Sequence, residues 1–244
     1  MKTIKFISVI LIALLVSTSC GKKESTSTNS NYGISQSAID SASYAVGITL
    51  GSMIKQSNFG ELNLKEVTKA MKAVIDGDSL KISMIKANEV IQNFLMKRQE
   101  AIGAENKTKG EEFLKANATK DSVVTTASGL QYIIINPGSP LKPTETDTVQ
   151  VHYVGTLIDG TEFDSSYKRG EPARFPLNGV IKGWVEGVQL IGEGGKIKLF
   201  IPSELAYGAQ QAGPQIGPNS TLIFTIDLLK VSPSKPVAET KAAK

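Results

Sequence analysis

The stretch Asn178-Gly179-Val180-Ile181-Lys182-Gly183-Trp184-Val185-Glu186-Gly187-Val188 holds the only tryptophan of a 244-residue chain. Val180, Ile181, Trp184, Val185 and Val188 recur at helical spacing over about two turns. Gly179, Gly183 and Gly187 thin one face of that helix, so backbone or a ligand can approach closely, although each glycine weakens the helix by about 1 kcal/mol against alanine. The runs on both sides read as strands. The spacing predicts a short helix that brings a tryptophan to a sheet, and by itself it favours core packing.

Working outward, alternation and turn residues define the strands. Val123 to Thr126 and Leu130 to Ile135 flank Ala-Ser-Gly, and Asn136-Pro137-Gly138 ends the second run. Thr148 to Leu157 alternates, with Val149, Val151 and Tyr153 on one face and His152 on the other. Asp159-Gly160 is a hairpin signal, Thr161 to Ser166 continues the sheet, and Pro172 to Leu177 is a further extended piece. Lys196 to Pro202 and Thr221 to Leu229 close the series around a Gly- and Pro-rich loop, Tyr207 to Asn219. A small antiparallel sheet with one helix packed on it is an α+β unit.

From about Ala38 to Asn117 the periodicity is helical. Ile39 to Ile54 forms a broad apolar face, and Leu64 to Ile75 repeats at three and four residues until Asp76-Gly77-Asp78. A third pattern opens near Ser83 and loses its apolar members after Met96. Beyond Ala101 charges alternate in sign, broken only by Phe113 and Leu114, which predicts a helix bridging domains through solvent. The helices before Lys97 carry more apolar surface than a unit of about 60 residues covers. Either a second copy buries that surface or the helices form an irregular monomeric domain.

The amino end reads as a targeting segment. Met1 to Lys5 is cationic, Phe6 to Val16 is an apolar run too short to span a bilayer, and Ser17-Thr18-Ser19 lead to the only cysteine, Cys20. That arrangement resembles a bacterial lipoprotein cleavage site with Cys20 lipidated, although Ser17 stands where leucine is commonest; an ordinary secretory signal is the alternative. Residues 21–37 are polar and small, a solvated tether. The whole chain has 27 basic and 23 acidic residues, a net +4. Cleavage before Cys20 takes away Lys2 and Lys5 and no acidic residue, which leaves +2. No basic block is interleaved with aromatics, so nucleic-acid binding is not expected. One cysteine and one histidine leave no disulfide and no expected metal centre or cofactor.

Five motifs occur in one order: Val151-His152-Tyr153-Val154-Gly155, Phe163-Asp164-Ser165-Ser166, Gly179 to Trp184, Ala206-Tyr207-Gly208 and Pro218 to Leu222, with Ile201-Pro202 between the third and fourth. In this order and spacing the chain resembles the FKBP-type peptidyl-prolyl cis/trans isomerases. The helical half, with Ala45-Val46-Gly47, is similar to the dimerisation module of the macrophage-infectivity-potentiator type. The resemblance implies an all-helical dimerisation module followed by an isomerase domain. The segments are a signal peptide (1–19), lipidated cysteine and tether (20–37), helical dimerisation domain with a long connecting helix (38–120), isomerase domain (121–231) and disordered tail (232–244).

The resemblance further implies the site. Trp184 is the floor under the proline ring, with Tyr153, Phe163, Val180, Ile181 and Phe224 as walls. Asp164 and the Tyr207 hydroxyl orient the peptide carbonyl, and the Ile181 N–H holds the next one. Ile216 contacts the residue before proline, and Arg169 is either a partner for Asp164 or a surface arginine. His152 is expected to be structural, since it alternates away from Tyr153. The implied partners are proline-containing unfolded or exported polypeptides, a second copy of the chain and a membrane through the lipid on Cys20. Macrolide inhibitors are further ligands, with contacts altered at Ala212 and Gln215, where some members carry bulkier groups. The expected location is the bacterial cell envelope, periplasm-facing or surface-exposed, and chaperone activity is compatible with catalysis.

Overall fold

The computed structural model describes residues 32–234. The signal segment, Cys20, most of the tether and the tail from residue 235 lie outside the described residues. Among the described residues three helices come first: α1 (Gln36–Gln56), α2 (Leu64–Asp76) and α3 (Met84–Asn117). The polar residues that bound them act as caps. The Asn63 side chain accepts from the Lys65 and Glu66 N–H groups, and Gly77 closes α2 at φ 72°. The Ser83 side chain accepts from Lys86 N–H at the start of α3.

The second half of α3 departs from the expectation of a helix solvated all round. Gly103, Gly110 and Asn117 are buried along one stripe, and Phe113 lies 6.0 Å from the Phe200 ring on the sheet. Asn117 Nδ2 donates to Gln131 Oε1 at 2.9 Å, and Gln131 Nε2 donates to the Leu114 carbonyl at 2.9 Å. The charged residues occupy the other faces: Lys109 pairs with Glu105 at 2.6 Å. Apart from Phe113, small and amide residues make the contact, so hydropathy alone gives little sign of it.

Seven strands form one antiparallel sheet: β1 (Val124–Thr125), β2 (Gln131–Asn136), β3 (Thr148–Leu157), β4 (Glu162–Ser165), β5 (Ala173–Pro176), β6 (Lys196–Ile201) and β7 (Leu222–Ser232). Their order is β1-β2-β6-β7-β3-β4, with β5 also paired to β3. Thus β4 and β5 share one edge of β3, β4 along Val154–Thr156 and β5 along Thr148–Val151. Between them the chain leaves the sheet in a one-turn helix, α4 (Ser166–Arg169), so β4 stops one residue earlier than the alternation suggests. The Ser165 side chain caps α4, Gly170 closes it at φ 80°, and the Ser166 hydroxyl takes the Tyr153 N–H at 2.8 Å. Strand β7 runs on to Ser232, past a register shift, where Val231 is buried.

The central stretch forms a 3-10 turn, Leu177–Gly179, and then α5 (Lys182–Val188), shorter than its apolar periodicity predicts. Val180 and Ile181 are extended and lead into the helix. α5 lies on the sheet: a Cβ on Gly183 would fall 2.4 Å from Ile201 Cγ2, and one on Gly187 would fall 2.6 Å from Leu199 Cδ1. Trp184 and Val188 are buried in the core with Val149, Val151, Ile197, Leu199, Ile201 and Ile226. The architecture is therefore α+β as expected, helices first and then a sheet wrapped on a short helix.

Candidate active site

One cavity of about 660 Å³ opens where the sheet meets α5. Alternation on β3 turns Tyr153 inward, β4 supplies Phe163 and Asp164, and β7 supplies Phe224. Val180, Ile181 and Trp184 come from the entry and first turn of α5. Tyr207 and Ile216 come from the long loop between β6 and β7.

The floor is aromatic and fixed. Trp184 meets Tyr153 and Phe224 edge-on, each with centroids 5.1 Å apart and planes at 86° and 89°. Phe163 stands edge-on to Phe224 at 5.5 Å. Such edge-to-face pairs add about 0.5–1.5 kcal/mol each beyond area burial and hold the rings in register. The Trp184 indole Nε1 is buried without an acceptor among the described residues.

The polar rim is a three-residue cluster. The Tyr153 hydroxyl donates to Asp164 Oδ2, and Arg169 Nη1 pairs with Asp164 Oδ1. Arg169 Nη2 donates to the Tyr153 hydroxyl at 2.8 Å, and the guanidinium lies 5.4 Å from the Tyr153 ring centroid. The excursion through α4 makes this possible, since it returns Arg169 toward the strand that carries Asp164. Partial burial works to raise the Asp164 pKa, but the hydrogen bonds from Tyr153 and Arg169 and the arginine charge outweigh it. The carboxyl is held below the usual carboxylate range. Burial and the bond to Asp164 push the Tyr153 phenol up. The Arg169 pKa is raised by its bonds to Tyr153 and Asp164. An ionised carboxylate has about four acceptor positions, so Asp164 keeps capacity for a further donor.

Tyr153, Phe163, Asp164, Val180, Ile181, Trp184, Tyr207, Ile216 and Phe224 all line this cavity. Arg169 stands behind it, attached to Asp164 and Tyr153. Ile181 has no side-chain cap, and its N–H finds no backbone acceptor among the described residues. His152 is turned away: its Nδ1 lies 2.9 Å from Ser166 Oγ and its ring stacks on Tyr167 at 4.4 Å. Phe175 is a wall that the sequence reading did not name. It stands 5.8 Å from Trp184, edge-on. The alternation of Ala173 and Phe175 along β5, continued by Leu177 just past it, was the available signal.

Residues 139–229 match the family model for the FKBP-type peptidyl-prolyl cis-trans isomerase, and residues 39–134 match that for the domain amino-terminal to it. With the sheet, α5 and the aromatic bowl in place, the chain belongs to the FKBP-type peptidyl-prolyl cis-trans isomerases and is an enzyme of that class. Among its relatives, the FKBP-type peptidyl-prolyl cis-trans isomerase FkpA of Aeromonas hydrophila is 40% identical, with 98% of each chain covered. The outer membrane protein MIP of Legionella longbeachae is 38% identical over 93% of this chain and 97% of its own. The crystal structure of FkpA from Escherichia coli superposes with a TM-score of 0.64 at 38% identity, covering 80% of this chain and 97% of that one.

Proposed function

We propose that this chain accelerates Xaa–Pro isomerisation in exported proteins as they fold, by binding the twisted prolyl amide in the bowl over Trp184. Rotation about a peptide bond passes through a state that has lost amide resonance, at about 18–20 kcal/mol. That state is less polar than the planar amide, so an apolar, water-poor bowl binds it better than the ground state, and differential binding of this kind is catalysis. The observation that carries the reading is the aromatic floor of Trp184, Tyr153 and Phe224 with the Asp164 carboxylate on its rim.

The roles follow from position. The proline ring sits on Trp184 between Phe163, Phe175 and Phe224. The Tyr207 hydroxyl donates to the reacting carbonyl beside the Asp164 carboxylate, which takes a donor from the client, while Ile181 N–H holds the neighbouring carbonyl and Ile216 meets the residue before proline. Tyr153 and Arg169 keep Asp164 ionised and aimed.

The chain works as a homodimer in the cell envelope. Tyr44 and Met53 on α1, Ile75 on α2 and Ile85 on α3 are exposed, and a second copy supplies a cover for them. Two bowls on one dimer hold an unfolded client at raised effective concentration, which adds chaperone action. Lipid on Cys20 anchors the dimer. The relative named as an outer membrane protein supports the envelope location. Macrolide inhibitors occupy the same bowl.

Proline-limited refolding of a model protein tests the reading. Substoichiometric full-length chain is expected to accelerate the slow phase. Isomerisation of short peptides with no effect on that phase would contradict a role in protein folding.

A further inference from the structure

The loop from Tyr207 to Ser220 is a thin wall with two sides. Its inner side, at Tyr207, Ala212 and Ile216, lines the bowl. Its outer side rests on α3. Gln99 Nε2 donates to Gln211 Oε1 at 2.7 Å, and Asn106 Nδ2 donates to the Pro218 carbonyl at 2.8 Å. Asn219 Nδ2 donates to the Gly103 carbonyl at 3.1 Å. Between residues 209 and 220, among the described residues, every hydrogen bond that leaves the loop goes to α3; the rest close within it, such as Ala212 N–H to Ile216 O at 2.9 Å.

The fit is close where the hydrogen bonds lie and open between them. A Cβ on Gly217 would come 3.0 Å from Asn106 Nδ2, and one on Gly110 would come 2.3 Å from Thr221 Oγ1. Behind Pro214 and Gln215, which also face the bowl, a cleft of about 170 Å³ separates loop from helix. Gln99 Oε1 is buried there without a partner. A wall backed by a polar cleft is free to move in depth unless something fixes it, and Gln99 and Asn106 are placed to do so.

We propose that α3 is a working part of the isomerase site: Gln99 and Asn106 are positioning residues that set the depth of the Ile216 wall and thereby the preference for the residue before proline. This rests on the isomerase reading of the bowl. It also ties the bowl to the connection between α1 and α2. Arg98, next to Gln99 in the helix, donates from Nε to the Asn58 carbonyl at 2.9 Å, and Phe94, just over a turn earlier, stacks on Phe59 at 6.2 Å. A displacement of that connection reaches the loop through α3.

The test compares kcat/KM of the full chain for short peptides with leucine or with alanine before proline. Partial unfolding lowers both values equally and leaves their ratio untouched, whereas a displaced wall changes the ratio. Asn106→Ala is expected to reduce the leucine-to-alanine ratio by about three- to tenfold, the range expected for one or two lost hydrogen bonds. Hydrogen exchange in residues 209–217 is expected to quicken. Gln99→Ala, at a half-exposed position, gives a smaller change in the same direction and decides the matter if Asn106→Ala does not fold. A ratio that stays at the wild-type value in a folded variant overturns the proposal while leaving the isomerase reading intact. A wild-type chain that isomerises neither peptide overturns both.

Discussion

The rings of Tyr153 and Trp184 stand perpendicular, 5.1 Å apart, with the Tyr153 hydroxyl committed to Asp164 at the rim. The residue that walls the bowl therefore also aims its carboxylate. Packing and polarity are joined through one side chain, and the site carries no nucleophile that its chemistry needs. Its output should follow from shape more than from proton transfer.

His152 is the first test of that statement. Its ring is stacked on Tyr167 and bonded to Ser166, outside the cavity lining. His152→Ala is expected to keep kcat/KM within about threefold of wild type once folded, well short of the factor that loss of a general acid or base produces. A drop of about tenfold or more in a folded variant contradicts the assignment.

Tyr153 and Arg169 together hold Asp164 ionised against its partial burial. Because the folded carboxyl lies below its ordinary value, the unfolded chain takes up the proton first. The stabilisation is complete above the usual carboxylate range and is lost as pH falls through the depressed folded value. The pair is partly exposed, so its stabilisation is about 0–1 kcal/mol. Arg169→Met is expected to raise the Asp164 pKa in a carboxyl NMR titration, and any stability difference from wild type should shrink in acid. An unshifted Asp164 titration contradicts the cluster.

The contact of α5 with the sheet is tested at Gly183. An added methyl has no room against Ile201. Gly183→Ala is expected to destabilise the chain by about 1–3 kcal/mol despite its better helix propensity, read by urea unfolding. An unchanged or raised midpoint contradicts the close approach.

Where the isomerase unit begins is testable by truncation. A fragment from Asp121 loses the two hydrogen bonds of Gln131 to Asn117 and Leu114, at about 0.5–1.5 kcal/mol each, and uncovers Phe200. It is expected to melt several degrees below a fragment starting at Lys97. Equal melting temperatures contradict a structural role for the second half of α3.

Much of this architecture is legible in the chain because one face is buried and the other is not. The Val149, Val151, Tyr153 alternation on β3 marks an inward face, and the wall residue Phe163 and the floor residue Trp184 stand in motifs whose order resembles the family's. The docking of α3 is legible by hydropathy only at Phe113. Gly103, Asn106, Gly110 and Asn117 are satisfied by close approach and hydrogen bonds rather than by transfer of apolar area. Their helical spacing was the remaining signal. The pairing of Arg169 with Asp164 depends on where α4 returns the chain, which five residues of separation leave open.

Assembly is read most simply by sedimentation equilibrium on the lipid-free chain from Gly21 onward. The exposed apolar residues on α1, α2 and the start of α3 lead us to expect a dimer at tens of micromolar. A monomer there leaves the helical half without its proposed purpose.

The central claim is that this bowl binds the twisted prolyl amide, and line-shape or exchange NMR on a short Leu-Pro peptide measures it without a coupling protease. The wild-type full chain is expected to raise the cis/trans exchange rate at catalytic concentration. Folded Phe163→Ala and Asp164→Val variants are expected to lose about tenfold or more of that rate. Wild-type exchange rates in both variants would contradict the account.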